Sequence, residues 1–115
     1  MFNYTRNDPL QLTWVEIALL AEVQTGERLF ITVDERAIVL FNIAGHIFAI
    51  GDVCSHDGGP LGDGEIDKEE VICPRHGGRF DLLTGKAMGL PALVDIPAYP
   101  IRISNEKILL GLPRP

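Results

Sequence analysis

Cysteine is scarce in this chain: its 115 residues hold two. That excludes the disulfide-dense scaffolds of small secreted proteins. Basic charge is also in deficit, with ten Lys and Arg against sixteen Asp and Glu and a formal net charge of −6. Such a balance argues against a nucleic acid or an anionic membrane surface as partner and leaves basic protein surfaces open. Long apolar runs are missing too. Ile17–Ala21 and Ala37–Phe41, of five residues each, are the longest, against about 20 for a membrane span. The first fifteen residues contain no apolar signal-peptide core, so the expectation is a cytoplasmic protein in a reducing compartment with no membrane partner. The sequon at Asn3-Tyr4-Thr5 is then a chance match.

What is present reads as one globular domain. Hydrophobic residues make up 46% of the chain and the mean hydropathy is +0.15, enough for a modest core and too little length for two. Residues 1–12 form a polar arm with Pro9, and strand character begins at Leu12–Ile17, where Trp14 is expected to anchor the core. Ala18–Val23 suits a single helical turn. Arg28–Val33 and Arg36–Asn42 are β-branched runs split by Asp34-Glu35, a hairpin signal, and Ala44-Gly45 turns the chain into His46–Ile50. Near the C-terminus Thr84-Gly85-Lys86 is a turn and Met88–Pro91 a loop. Leu93–Ile96, Pro100–Ser104 and Lys107–Gly111 are expected strands, with Asn105-Glu106 as the last turn. No repeat, linker or low-complexity segment is visible. The pattern predicts an all-β protein, with a basal part at about 13–50 and 92–111 and a small inserted subdomain at about 51–91.

That insert carries the chemistry. Both cysteines and two of the three histidines fall in Cys54-Ser-His56 and Cys73-Pro-Arg-His76. Thiolate and imidazole are the donors that suit zinc, iron and copper. Four such side chains at the ends of one connecting segment could close around a single site, with one disulfide as the weaker reading of the cysteines. Gly58, Gly59, Gly62, Gly64, Gly77 and Gly78 crowd the same stretch, and glycine permits the positive φ that loops around a small inorganic body need. Zinc fingers usually place Cys with Cys and His with His. Here each arm supplies one of each. His46, at a hairpin end, is expected to be a surface residue. Asp57, Asp63 and Asp81 are candidates either for tuning the site or for capping turns.

Cys-x-His, sixteen residues, then Cys-x-x-His, followed by Gly77, Phe80, Asp81 and Thr84-Gly85, resembles the Rieske [2Fe–2S] family. The resemblance implies a Rieske-type fold, an antiparallel β-sandwich-like base carrying a cluster-binding subdomain. It also implies one [2Fe–2S] cluster, with Cys54 and Cys73 on the inner iron and His56 and His76 on the outer one. Two ferric ions, two sulfides and two thiolates sum to zero charge, so an electron enters more easily than at a four-cysteine cluster. Potentials of about −150 to +300 mV follow for the class, against about −400 mV for plant-type ferredoxins.

Relatives in quinol-oxidising complexes carry an extra cysteine in each cluster loop, joined as a disulfide, and a membrane anchor. They also carry Ser and Tyr two and four residues after the second His. This chain has neither extra cysteine, and Gly78 and Phe80 stand where those hydroxyls would be. It is therefore similar to the soluble, low-potential branch that serves aromatic-ring-hydroxylating and related non-haem iron oxygenases. In that branch Leu90-Pro91-Ala92 corresponds to a proline loop covering the cluster. The implied role is a monomeric electron carrier between a flavin-dependent reductase and a terminal oxygenase, without catalysis of its own. No dinucleotide or phosphate-binding motif is present. The alternatives are a Rieske-type small subunit of an assimilatory nitrite reductase and, from another class, a structural zinc-binding interaction module. Seven acidic residues fall within residues 51–70 against Lys68 alone, so a salt-dependent docking face is expected there.

Overall fold

The apolar run at Ala37–Phe41 is continuous because its strand is covered on both sides. In the computed structural model, which describes residues 3–55, 57–75, 77–90, 92 and 94–114, eleven strands are found among the described residues. They are β1 (Leu12–Leu19), β2 (Arg28–Val33), β3 (Arg36–Ile43), β4 (His46–Gly51), β5 (Glu65–Asp67) and β6 (Glu70–Ile72). β7 (Arg79–Asp81), β8 (Ala87–Gly89), β9 (Ala98–Tyr99), β10 (Ile101–Ser104) and β11 (Lys107–Pro113) follow. They form three sheets, β2-β3-β4-β9, β1-β11-β10 and β5-β6-β7-β8. Side chains alternate across a strand. On β3, Ile38 and Leu40 therefore enter one apolar cluster, shared with Ile108, Leu110 and Leu112 of β11. Val39 and Phe41 enter the other, shared with Val71 of β6, Phe80 of β7 and both cysteines. The first sheet thus lies between the other two, and its own run needs no polar face.

The expected hairpins are present. Asp34 and Glu35 have φ of 49° and 64°, Asn105 and Glu106 have 50° and 64°, and Ala44 and Gly45 have 53° and 91°. Each pair is flanked by paired residues, Val33↔Arg36, Ser104↔Lys107 and Ile43↔His46. Two left-handed residues in a two-residue loop match the twist of the strands they join.

Other expectations need correction. Val94–Ile96, expected to be strand, is not, and Leu93 lies outside the described residues. The Asp95 carboxylate accepts the N–H of Ala87, and the Ile96 N–H donates to the Gly85 carbonyl. These bonds tie the segment to the third sheet, and contact with β4 begins only at Pro97, whose carbonyl accepts the Gly51 N–H, followed by the Ala98 and Tyr99 pairs. Residues 87–89, partly expected to be loop, form β8. Ala18 and Leu19 remain in β1, and only Leu20–Glu22 make the helical turn. Trp14 is no core anchor. It is half-buried, its indole N–H donates to the Pro9 carbonyl, and Arg102 lies 4.1 Å over its ring.

Candidate metal centre

The segments Cys54–Gly59 and Cys73–Gly78 fold as one loop used twice. In the first, the Cys54 N–H donates to the Gly59 carbonyl at 2.8 Å and the Gly58 N–H to the Cys54 carbonyl at 2.7 Å. In the second, Cys73 donates to Gly78 at 2.7 Å and Gly77 to Cys73 at 3.0 Å. The fourth residue after each cysteine must pass through the left-handed region, at φ +75° for Gly58 and +78° for Gly77. Only glycine does so without steric cost. The sequence carries this repeat as Cys-x-x-x-Gly-Gly, written twice. Reading the chain by its ligand pairs, Cys-x-His and Cys-x-x-His, conceals it, because the histidines sit at different offsets.

The two loops bring Cys54 and Cys73 together. Both are buried, at 0% and 2% exposure, and both are thiols. Their sulfurs and one Asp57 carboxylate oxygen lie within 4.8 Å of one another, close enough for both thiolates to share one metal site. Two buried thiols on glycine-turned loops fit a sulfur-bound metal centre. His56 and His76 lie outside the described residues. His46 is exposed at the β3–β4 turn, as expected. The third side is closed by the segment after β8: Ala92 is buried, and a Cβ on Gly78 would stand 3.0 Å from the Ala92 Cβ. The Ser55 hydroxyl donates to the Val94 carbonyl, tying the first loop to that segment. Pro91 of the expected proline loop lies outside the described residues.

A profile of the Rieske [2Fe-2S] domain matches residues 13–100. The chain belongs to the Rieske [2Fe–2S] family. Among its relatives is the ferredoxin component of the naphthalene 1,2-dioxygenase system of Pseudomonas putida, 33% identical over 103 residues, covering 90% of this chain and 99% of the relative. The ferredoxin of carbazole 1,9a-dioxygenase from Nocardioides aromaticivorans IC177 superposes with a TM-score of 0.79 at 31% identity, over 89% of this chain and 99% of that one. A structure described as a nitrite reductase small subunit from Mycobacterium tuberculosis gives the same TM-score at 20% identity, over 90% and 98%. That likeness shows the Rieske fold alone.

The acidic residues around this Rieske centre divide by role. Asp52 accepts the N–H groups of Leu61 and Gly62 at 2.9 and 2.6 Å, and so shapes the chain leaving the first loop. Asp81 accepts those of Leu83 and Thr84 at 2.8 and 3.1 Å and caps the turn before Gly85. Asp63 is exposed. Asp57 alone reaches the sulfurs, and it is held there by Arg75 through a 2.5 Å contact. From the sequence Arg75 reads only as a positive charge in the second loop. Arg28 is a second residue that pattern reading passes over. From β2 it donates to the carbonyls of Gly62 and Gly64, and it lies 5.1 Å over the Phe41 ring. It thereby ties the connection into β5 to the first sheet.

Proposed function

We propose that this chain is a one-electron carrier of an oxygenase system, taking electrons from a flavin-dependent reductase and delivering them to a terminal non-haem iron oxygenase. The observation that carries this reading is the pair of matched loops around two buried thiols, in a chain whose relatives are ferredoxin components. Cys54 and Cys73 would hold one iron of the cluster and His56 and His76 the other. When bound, the [2Fe–2S] cluster supplies reversible one-electron chemistry. The chain's own residues do the rest. The loop glycines wrap the backbone closely, and the apolar cluster containing Phe80 and Leu61 keeps water from the thiolate side. Exposed Leu90 and Val94, at 77% and 57%, border the same site on the segment tied to the first loop.

The division into a basal part at 13–50 and 92–111 and a cluster-binding subdomain at 51–91 belongs to the same proposal. So does a cytoplasmic location. Reconstitution tests the reading. The chain with NADH and an aromatic substrate should give no turnover. Adding a ferredoxin reductase and the terminal oxygenase of an aromatic-dioxygenase system should start product formation, and His76→Ala should abolish it. Multiple turnovers of an organic substrate by the chain with a chemical reductant alone would refute the carrier role.

A further inference from the structure

Arg75 sits two residues after Cys73, yet its side chain reaches back across the site to the other loop. Its Nε contacts Asp57 Oδ2 at 2.5 Å and its Nη2 contacts Asp57 Oδ1 at 2.9 Å, a bidentate pair. Nη1 donates to the Pro60 carbonyl at 2.7 Å. Nη2 also lies 3.4 Å from the Cys73 sulfur. Asp57 Oδ1 in turn accepts the Gly59 N–H at 2.9 Å, which fixes the carboxylate on its own loop. Gly59 leaves the room this requires, since a Cβ there would stand 2.8 Å from the guanidinium carbon. One planar cation therefore joins loop to loop and touches a ligand sulfur.

We propose that Arg75 is a positioning and potential-setting residue of the redox centre. It links the two cysteine loops without a covalent bond and holds a cation against the Cys73 sulfur, offsetting the Asp57 carboxylate. This rests on the carrier reading for the identity of the group bound. Fork-to-fork pairing fixes a geometry that a lysine point charge does not. Solvent limits what the pair adds to stability, because the side chains keep 33% and 23% of their exposure. Its effect on the sulfurs is of a different kind. Reduction adds one negative charge to the site. A hydrogen-bonding cation favours the reduced form, and a carboxylate within 4.8 Å of the sulfurs disfavours it. The two members of one ion pair thus act on the reduction equilibrium with opposite signs.

That opposition separates the proposal from a purely structural role, which Arg75→Gln and Asp57→Asn would abolish alike. The experiment is potentiometric titration of cluster-loaded wild type, both single variants and the double variant, with cluster content measured by visible absorbance. Loading of the wild type tests the cluster assignment, on which the carrier reading rests, independently of the variant results. Arg75→Gln should disfavour reduction about tenfold, a fall of about 59 mV for one electron. Asp57→Asn should favour it by a similar factor, and the double variant should fall between. Should Arg75→Gln fail to load, Asp57→Asn must still shift upward, and Arg75→Lys must stay within about threefold of wild type. Arg75→Lys should nevertheless lose its cluster faster than wild type as salt rises, because its fork is gone. Shifts of the same sign in the two single variants, no shift in a loaded Arg75→Gln protein, or a downward shift in Asp57→Asn would overturn the proposal.

Discussion

Replacing Phe80 by Tyr adds one oxygen to the interior, and the structure says where that oxygen must find a partner. Phe80 is fully buried, pairs with Val71 across β6 and β7, and shares its apolar cluster with Cys54 and Cys73. Every other buried member of that cluster has a hydrocarbon side chain. Among the described residues the two sulfurs are therefore the only side-chain acceptors within it. Left unsatisfied, a buried hydroxyl costs about 1–3 kcal/mol. Donating to a thiolate, it gains about 1.5–3 kcal/mol, and more when the site carries an extra electron. If about 1.4 kcal/mol of that is felt only in the reduced state, the equilibrium shifts tenfold and the potential rises by about 59 mV. The wild type, lacking this hydroxyl, should sit near the low end of the class range, about −150 mV. Voltammetry of wild type and Phe80→Tyr at one pH and salt concentration reads both values. An unchanged potential with intact cluster and a lowered melting temperature would show the hydroxyl stranded away from sulfur. A wild-type potential well above zero would show that other donors dominate.

Gly77→Ala should destabilise the loaded protein by about 1–2 kcal/mol through the left-handed backbone alone, since a Cβ there meets nothing within 4 Å; thermal melts of Gly77→Ala and Gly58→Ala check it, and unchanged midpoints would refute the matched-loop account. Gly78→Ser is a poorer hydroxyl probe than Phe80→Tyr, because its Cβ crowds Ala92. Burial raises the Tyr99 phenol above its ordinary value of 10.0, opposed by the Arg36 hydrogen bond. Tyr99 should therefore contribute stability that is complete below pH 10 and lost as pH rises through the folded-state value. Denaturant melts of Tyr99→Phe against wild type across alkaline pH would show a smaller loss in the variant, and equal losses would contradict the assignment. Association with the reductase or oxygenase should slow as ionic strength rises. The effect should be weaker than seven acidic residues suggest, because Asp57 pairs with Arg75, and Asp67 and Glu70 pair with Arg79. A salt-independent second-order rate would remove the charged docking face.

The hairpins were readable because each turn is local: a pair holding one residue that favours positive φ (Asp34, Gly45 or Asn105) lies between runs whose alternation agrees. The run at Ala37–Phe41 announced burial but not its two-sided character, which depends on β11 and β6, both distant in sequence. The third sheet was hidden because β5 to β8 are three residues each, and Glu65-Ile66-Asp67 shows more charge than pattern. At the site the cysteine pair was legible from residue type and spacing. The Asp57–Arg75 bridge was not, because it joins residues eighteen positions apart that meet only once both loops have closed. Val94–Ile96 form no strand for a related reason: the Asp95 carboxylate and the Ile96 N–H are engaged by Ala87 and Gly85, which no local pattern reveals.

The central claim is that the two matched loops hold a Rieske cluster. Iron, acid-labile sulfide and zinc, measured together on protein made under iron-replete conditions and paired with the spectrum of the reduced protein, test it most directly. The account predicts two irons and two sulfides per chain, no stoichiometric zinc, a red-brown colour, and loss of both cluster and much of the fold in Cys73→Ser. A colourless protein holding one tightly bound zinc would contradict it.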